Sequence, residues 1–582
     1  MNVAGEVWAL GVFLAASRDT VGFLCVLVGL AALFLISLLA YKRQFKWLSL
    51  ASQLGAAVIL ILFRDTNYLW GDSRLWISAL EHPNWVAPSV HSPGYGLVVQ
   101  ALSNLPGGRE SMVLLLALVS VLSGLGVVFI LADALGKKYD VRPLILAFLI
   151  CQPLGFIFFG HIEPYALTAL LTSVVLTRSG KDIAQGKLSV AVWGLLLLAS
   201  LSHFSALLLI PALLSWQLGK WTGKNVVSIY VVMMVALAVC IFSIPNLRQL
   251  TLIGGTLSES GRVSYLVDVL NIWALALCPG LLLFLQVRRG ALADDFGRTL
   301  ALIVTTYALF PLLTRFELGG LRDLDLMGNL GVAWALLLAI GVVRTTRRLR
   351  WPLALTGGLG IMALSGIVLT TRGTSGAEVM RLQLEREVMS PSVRAYGFET
   401  LASYEEDHGN LAGAEANLRE AIKEVPGNLR FYGALGEIQL ERGDTSEAIE
   451  SLWTAMKSER ASRTAPLLGE LLVRQDRFME GVPVLTGMGS NLYEDRRASA
   501  ALCVAYTRLG SADSSLTIAK RRIERDPKDA LAYFNAAAAL TRLGKIEDAI
   551  KYMRAAVTLE PDNTAYRQRL MHLLERGSGE AK

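Results

Sequence analysis

Two aspartates stand where an apolar stretch of the chain gives way to polar sequence. Residues 46–63 are apolar, and FRDTNYLWGDSRLW, which contains Asp65 and Asp72, begins at the end of that stretch. A carboxylate at the boundary between membrane and water can act as a general base toward a hydroxyl group, or bind a divalent metal such as Mg²⁺ or Mn²⁺. A helix cap or an ordinary solvated carboxylate is the alternative. Both aspartates are candidate catalytic residues.

A second group of reactive side chains lies in FGHIEPYALTALL, between two hydrophobic stretches. His161 and Glu163 occupy the turn, and Tyr165 follows it. An ionisable group there is costly unless it faces a water-filled cavity, so Glu163 is a third catalytic candidate and the other two are candidates for substrate binding. Glu163 could instead simply start a helix, because Pro164 suits a first helical turn.

A third charged group is TRFELGGLRDLDLMG, which holds Arg315, Arg322, Asp323 and Asp325 just before an apolar stretch. Arginine can bind a phosphate with two parallel hydrogen bonds. Pairing of Arg322 with Asp323 or Asp325 is equally consistent with the sequence. Three more basic side chains are candidates for substrate binding: His91 in HSPGYG, His203 in LSHFSALLLIP, and Arg262. His203 could instead mark a turn between two short spans.

The elements that position these residues are apolar helices. The 582-residue chain is 53% hydrophobic and 18% charged, and the apolar runs end near residue 371. A spanning helix needs about 20 apolar residues, which predicts an all-α, polytopic transmembrane core of about 12 helices in residues 1–371, with a large outer loop at 64–110. The predicted spans are 20–41, 46–63, 111–133, 142–160, 164–177, 188–201, 204–218, 225–244, 265–287, 299–313, 325–343 and 351–370.

Basic residues alternate between the predicted loops. One set of loops, beginning with 42–46, holds eighteen lysines and arginines, whereas the other set holds seven arginines and no lysine. Basic residues are retained in the cytoplasm, so the first set is cytoplasmic. The candidate residues above and everything after residue 370 are therefore predicted to share the opposite side.

Composition also excludes some classes of function. The net charge of +7 comes mostly from the cytoplasmic loops and has no accompanying basic-aromatic surface, which argues against nucleic-acid binding. None of the five cysteines forms a CxxC or a zinc-ligand spacing, so no residue is assigned as a metal ligand from sequence.

The tail carries an internal repeat. Glycines at 409, 443, 510 and 544 are separated by 34, 67 and 34 residues, with Asp476-Arg477 at the missing step. A period of 34 residues is typical of tetratricopeptide repeats. We therefore predict a linker at 372–390 and an α-solenoid of about five repeats at 391–575.

Such a solenoid presents a concave surface for extended partners. A docking or dimerising platform is the simplest interpretation, and a contribution to catalysis is the alternative. The tail has no N-x-[ST] glycosylation sequon, which favours a bacterial periplasm over a eukaryotic secretory lumen.

The outer-loop motifs together resemble those of a known enzyme class. WGDS, SPGYGLVVQAL and HIEPY are similar to motifs of the GT-C class of integral-membrane glycosyltransferases, most closely glycosyltransferase family 39, the protein O-mannosyltransferase-like branch. The resemblance covers about residues 60–330 loosely. Similar cores joined to tetratricopeptide tails occur in the transmembrane-and-TPR O-mannosyltransferases.

The resemblance implies a polyprenyl-phosphate-linked sugar donor and transfer with inversion on the non-cytoplasmic face of a bacterial inner membrane. Asp72 would be the catalytic base or a metal-side carboxylate, and Glu163 with His161 would position the donor or acceptor. Arg322 would stabilise the lipid phosphate that leaves. The implied partners are membrane lipid, the lipid-linked donor, and a protein or glycan acceptor bound by the repeats.

Two other functions remain open. A polymerase or ligase of lipid-linked glycans would place its largest outer loop late in the membrane core, whereas here that loop comes first. A non-enzymatic scaffold for envelope assembly would not need the charges of its outer loops.

Overall fold

The computed structural model describes residues 19–69, 73–74, 76–77, 92–104, 109–135, 140–221, 225–243, 259–314, 323–346, 349–384, 389–457 and 464–579. Over these ranges the chain is all-α, built from α-helices and short 3₁₀ helices, with no strand. It forms two compact units, unit 1 up to Tyr404 and unit 2 from Glu405.

Unit 1 contains helices that vary from nine to 26 residues in length. The predicted linker at 372–390 holds one of them, and α16 crosses the boundary between the units at Tyr404. In chain order they are α1 (Thr20–Arg43), α2 (Lys46–Leu62), α3 (Pro93–Ser103), α4 (Arg109–Ala134), α5 (Arg142–Ile150), α6 (Pro164–Ala184), α7 (Val190–Ser202), α8 (Ile210–Gly219), α9 (Asn225–Ser243), α10 (Glu259–Ala276), α11 (Cys278–Ala291), α12 (Asp295–Leu313), α13 (Gly328–Val343), α14 (Arg350–Thr370), α15 (Gly373–Leu384) and α16 (Pro391–Asp407).

Fewer helices than predicted are long and apolar enough to cross a membrane. Among the described residues there are five, or six if α10 and α11, which are bent by 57° at their junction, form one span. The prediction of about twelve spans is therefore wrong in number. The five are Thr20–Arg43, Glu110–Ala134, Asp295–Leu313, Leu324–Val343 and Arg350–Thr370.

Breaks inside the apolar runs explain the difference. The predicted span at 142–160 is the nine-residue α5 followed by a 3₁₀ helix at Pro153–Phe158. The one at 204–218 is a 3₁₀ helix at Phe204–Leu209 followed by the ten-residue α8. At 1.5 Å per residue, α5 and α8 are each long enough to cross only about half of the ~30 Å hydrocarbon core. Hydropathy averaged over a window does not reveal these breaks.

The span ending in α13 lies at the centre of unit 1. Within unit 1, 89% of its most apolar window is buried, against 33% for α1. Glycines allow the close approach: a Cβ at Gly328 would lie 2.5 Å from a side-chain carbon of Ile157, and one at Gly331 would lie 2.9 Å from Cβ of Leu154. Because those positions leave no room for a methyl group, α13 is fixed against the 3₁₀ helix Pro153–Phe158.

Unit 2 consists of antiparallel helix pairs that follow the predicted repeats. The helices are α17 (Leu411–Glu424), α18 (Arg430–Arg442), α19 (Thr445–Ala455), α20 (Ala465–Arg474), α21 (Phe478–Thr486), α22 (Arg496–Arg508), α23 (Ala512–Arg525), α24 (Ala530–Arg542), α25 (Ile546–Leu559) and α26 (Thr564–Gly579). After α17 come four helix pairs, α18–α19, α20–α21, α22–α23 and α24–α25, and one further helix, α26, closes the series.

The repeated turns have the backbone that their residues predict. Gly409, Gly443, Gly510 and Gly544 adopt φ of +73°, +92°, +82° and +75°. Asp476, which stands where the repeat has no glycine, adopts φ of +56°. Aspartate tolerates this left-handed conformation better than most residues, so the degenerate repeat keeps the same turn.

Candidate functional site

Three acidic and basic side chains from distant parts of unit 1 form a hydrogen-bonded cluster. His161 Nδ1 lies 3.2 Å from Asp65 Oδ2, and His161 Nε2 lies 2.8 Å from Asp325 Oδ2. All three side chains are 1% exposed. Asp65 follows α2, His161 lies in the turn before α6, and Asp325 lies in the 3₁₀ helix Leu324–Met327. We refer to these residues as the Asp–His–Asp cluster.

The backbone around Asp65 is fixed on both sides. Its own amide donates to the Phe159 carbonyl at 2.7 Å, and the amide of Asn67 donates to the Thr371 carbonyl at 3.2 Å. Asp65 Oδ1 accepts the amides of Asn67 and Tyr68 at 3.2 and 3.0 Å, which is an Asx turn. This turn leaves Oδ2 directed at the imidazole.

The turn that carries His161 depends on a glycine. Gly160 has φ of +71°, a conformation that side chains disfavour. Its amide donates to Ser120 Oγ at 3.1 Å, and that hydroxyl donates to the Ile157 carbonyl at 2.8 Å. A Cβ at position 160 would lie 2.8 Å from Cβ of Arg64, the residue before Asp65. The two segments of the cluster therefore touch through this glycine.

Replacing Gly160 by alanine is expected to destabilise unit 1 by about 2 kcal/mol, because left-handed backbone strain adds to a clash. Gly186→Ala is the matched control, since Gly186 has φ of +77° and open space around its Cβ position. Thermal unfolding of the purified protein in detergent measures both. A melting temperature lowered equally by the two variants would contradict the proposed contact with Arg64.

The two carboxylates keep His161 protonated at neutral pH. Burial by itself would lower the pKa of His161, but hydrogen bonds to Asp325 and Asp65 and their negative charges outweigh it and raise the pKa from 6.5 to about 9. Both ring nitrogens then donate, one to each carboxylate. The imidazolium thus stabilises two buried negative charges.

Glu163 adds a third carboxylate to the cluster. One ligand atom from each of His161, Glu163 and Asp325 lies within 4.8 Å of the others, and all three residues are buried. A divalent cation bound here would take the place of the proton on one ring nitrogen of His161, because an imidazolium has no lone pair for a metal. The cation would then offset the charge of the buried carboxyl groups around it. Uncompensated buried charge is costly, so a divalent cation fits this site electrostatically. A donor set that includes an imidazole suits Mn²⁺ or Zn²⁺ better than Mg²⁺, which prefers oxygen ligands.

Glu163 also begins α6, as the alternative interpretation of the sequence held. It is the residue before the helix, Pro164 is the first helical residue, and its side chain makes no capping hydrogen bond. Its carboxylate instead lies close to His161 and Asp325. The two interpretations of Glu163 are therefore compatible.

A helix in the first outer loop packs beside Glu163. Tyr95, in α3, is 1% exposed, and its ring meets that of Trp76 edge-on at 5.0 Å between centroids. Burial, and then the charge of Glu163, raise the pKa of Tyr95 well above its ordinary value. Sequence analysis quoted the SPGYG motif without assigning this tyrosine to the site. The feature that could have identified Tyr95 is its position, as an aromatic residue in the first turn of a helix that begins at Pro93, after Ser92.

A second polar group surrounds His203. His203 Nδ1 lies 2.9 Å from Ser205 Oγ, and the His203 ring meets that of Tyr165 edge-on at 4.7 Å. Asn329 donates to Ser205 Oγ at 3.3 Å, and Tyr307 donates to the Ser205 carbonyl at 2.9 Å. His203 does mark the turn after α7. Sequence reasoning missed Ser205, Asn329 and Tyr307, which lie in otherwise apolar stretches.

The described part of the chain does not place the remaining predicted site residues in this geometry. Asp323 precedes the 3₁₀ helix that carries Asp325 and makes no capping hydrogen bond there. Asp325 is bound by His161. The alternative pairing of Arg322 with Asp323 or Asp325 falls on a residue outside the described ranges. A buried carboxylate in α10, Asp268, was not predicted. Asp72, His91, Arg315, Arg322 and the side chain of Arg262 lie outside the described residues.

Comparison with known proteins identifies the tail. Models of the tetratricopeptide repeat match residues 407–471 and residues 530–563. These segments are tetratricopeptide repeats. The prediction of tetratricopeptide repeats in the C-terminal region is thereby confirmed. Proteins are the class of partner that such repeats suit. No curated protein matches the chain.

Solved structures of repeat proteins also resemble part of the chain. YrrB, described as a TPR protein with an unusual peptide-binding site, is 20% identical, with a TM-score of 0.27, over 30% of this chain and 91% of its own. MamA from Desulfovibrio magneticus RS-1 is 21% identical, with a TM-score of 0.24, over 26% and 86%. A Parabacteroides merdae tetratricopeptide repeat protein is 16% identical, with a TM-score of 0.30, over 32% and 75%.

Proposed function

We propose that this chain is a membrane glycosyltransferase that moves a hexose from a polyprenyl-phosphate donor to an acceptor on the non-cytoplasmic face. The observation that carries the proposal is the Asp–His–Asp cluster with Glu163. Groups of this charge are expensive to bury, and in chains with membrane-spanning helices they are found mainly at functional sites.

The origin of the cluster residues supports the proposed sidedness. Asp65, His161 and Asp325 come from the 64–110 loop, the turn at 161–163 and the segment that ends at 325. These belong to, or adjoin, the lysine-free loops that charge distribution assigns to the outer side. If the lysine-free loops share one aqueous face, residues from different loops of this set are expected to meet. Asp65, His161 and Asp325 do meet in one cluster. The inferred location is the bacterial inner membrane, with the repeats in the periplasm.

We assign the base to Asp65 and leave Asp72 as the competing candidate. In the proposed step the acceptor hydroxyl transfers its proton to the carboxylate, its oxygen bonds to the anomeric carbon, and the bond from that carbon to the lipid phosphate breaks. His161 holds Asp65 by the 3.2 Å contact at Nδ1. A divalent cation held by His161, Glu163 and Asp325 would neutralise charge on the departing phosphate.

The repeats supply the second part of the proposal. Unit 2 would bind the acceptor protein or glycan, or a partner that delivers it, on its concave surface. A non-enzymatic scaffold is the competing function, favoured by the repeats themselves. It does not account for the four ionisable side chains buried together in the Asp–His–Asp cluster with Glu163, whereas an enzyme does.

Cation depletion tests the proposal. Purified full-length protein is incubated with polyprenyl-phosphate hexoses and candidate acceptors after treatment with EDTA, then with added Mn²⁺, Zn²⁺ or Mg²⁺. Transfer should be lost with EDTA and restored best by Mn²⁺ or Zn²⁺, and Glu163→Gln should need a higher concentration of the metal by about tenfold or more. Transfer that is indifferent to EDTA would remove the cation from the mechanism. No transfer with any donor would favour the scaffold.

A further inference from the structure

An apolar groove lies in unit 1 between α11 and α14. It has a volume of about 540 Å³, within the usual range for ligand sites, and Leu282, Leu285, Gln286, Trp351 and Leu355 line it. Trp351 is 87% exposed, and the three leucines are each about half exposed. We refer to it as the α11–α14 groove. Its walls are aliphatic and it opens at the surface of the unit.

Three arginines lie at one end of this groove. Arg288 and Arg289 follow Leu285 by three and four residues in α11, and Arg350 precedes Ala354 by four in α14. Residues three or four apart are neighbours on a helix surface, so each arginine lies about one turn from a residue that lines the groove. The groove is thus apolar along its length and basic at one end.

These arginines have no counterion. Their side chains make no hydrogen bond or ion pair within the part of the chain that the structure describes. Several other basic side chains in the same set of loops are paired with carboxylates. Examples are Arg142 with Asp140, Lys181 with Asp133, and Arg344 with Asp294. The absence of carboxylate partners at the groove leaves three positive charges for an external anion.

We propose that the α11–α14 groove binds an anionic phospholipid of the cytoplasmic leaflet. An acyl chain lies along Leu282, Leu285 and Leu355, and the headgroup phosphate meets the three arginines. The exposed Trp351 ring lies at the headgroup level, where tryptophan is enriched in membrane proteins. The inference uses the membrane placement of unit 1 but not the proposed sugar transfer, because these loops belong to the opposite set from the Asp–His–Asp cluster.

Charge removal at the groove tests the headgroup contact. Full-length protein in a neutral detergent is titrated with phosphatidylglycerol or phosphatidylcholine, and bound lipid is counted by native mass spectrometry. The combined variant Arg288→Gln, Arg289→Gln and Arg350→Gln should bind phosphatidylglycerol at least about tenfold more weakly. Its binding of phosphatidylcholine should not change.

A matched variant removes the same charge elsewhere. Lys42, Arg43 and Lys46 are exposed basic residues at the junction of α1 and α2, in the same set of loops. Their combined replacement by glutamine should change phosphatidylglycerol binding by less than about twofold, because no groove adjoins them. An equal loss in both variants would overturn the proposal in favour of non-specific attraction.

Blocking the groove tests the acyl-chain contact separately. Leu355→Trp fills the groove and keeps every charge, so it should remove the preference for phosphatidylglycerol. Glycerol 3-phosphate, which has the headgroup charge but no chain, should not displace the lipid. Retained preference in Leu355→Trp, or displacement by glycerol 3-phosphate, would refute a lipid site. Because lipid binding is measured without any sugar donor, these outcomes do not depend on the proposed transferase activity.

Discussion

Replacing Asp65 by asparagine is expected to lower hexose transfer by about a hundredfold to ten-thousandfold, the usual effect of losing a general base. Asparagine keeps the size of the side chain and an oxygen that can accept the amides of Asn67 and Tyr68. The change therefore removes the proton-accepting group with little disturbance of the turn. Initial rates with a polyprenyl-phosphate hexose, at saturating donor and acceptor, measure the effect.

Two further variants make the result specific. Asp140→Asn is the matched control, because Asp140 is bound by Arg142 and Ser49 in a loop of the other set. It should transfer sugar at close to the rate of the unaltered chain. If Asp72→Asn abolishes transfer while Asp65→Asn leaves the rate within a few-fold, the base is Asp72. Asp65 would then be a structural partner of His161.

Replacing Arg522 by alanine is expected to destabilise the repeats around α23 by about 3 kcal/mol, because it removes one partner of a buried ion pair. The Arg522 side chain is 10% exposed, and its Nε donates to Asp529 Oδ2 at 2.7 Å. Its Nη1 donates to the carbonyls of Tyr493 and Glu494, at 2.9 and 3.1 Å. One side chain thus joins the start of α24 to the end of the preceding 3₁₀ helix.

Hydrogen exchange of the full-length protein measures this effect, since amides of α22, α23 and α24 should lose protection. Arg525→Ala is the control: Arg525 is in the same helix, 63% exposed, and paired with Glu494 at the surface. Such a pair contributes less than about 1 kcal/mol. Equal loss of protection in both variants would show that Arg522 is no more than a surface contact.

The repeats were predictable because their signal is local and periodic. A turn that needs left-handed backbone selects glycine, and the 34-residue spacing of four glycines set the alignment. The alignment even located the degenerate turn, where Asp476 takes the same conformation with φ of +56°. Each turn is determined by a few neighbouring residues, which is why one sequence is enough.

The sequence pointed to the residues of the cluster but not to the contacts between them. Asp65, His161, Glu163 and Asp325 each stood out because they lie at the ends of apolar stretches. The hydrogen bonds of His161 join it to residues 96 and 164 positions away, and no local pattern specifies such a pairing. Sequence offered a pairing of Arg322 with Asp323 or Asp325, and it did not suggest the contact of Asp325 with the imidazole of His161.

Polar side chains inside apolar stretches were not recognised as site residues from the sequence. Ser205 and Asn329 look like isolated tolerated residues in sequence, yet Asn329 donates to Ser205, which also contacts His203. The short helices were missed for a related reason. Averaged hydropathy registers how apolar a stretch is, whereas the helix at Phe204–Leu209 differs from its neighbours only in backbone hydrogen bonding.

The glycines of α13 limit which parts of the site can change during a catalytic cycle. Asp325 directly precedes a helix that cannot slide along its neighbours, since Gly328 and Gly331 fit against Ile157 and Leu154 with no spare space. The side of the site that carries Asp325 is therefore expected to stay in place. The proposed lipid-linked donor would then have to enter past segments of unit 1 other than α13.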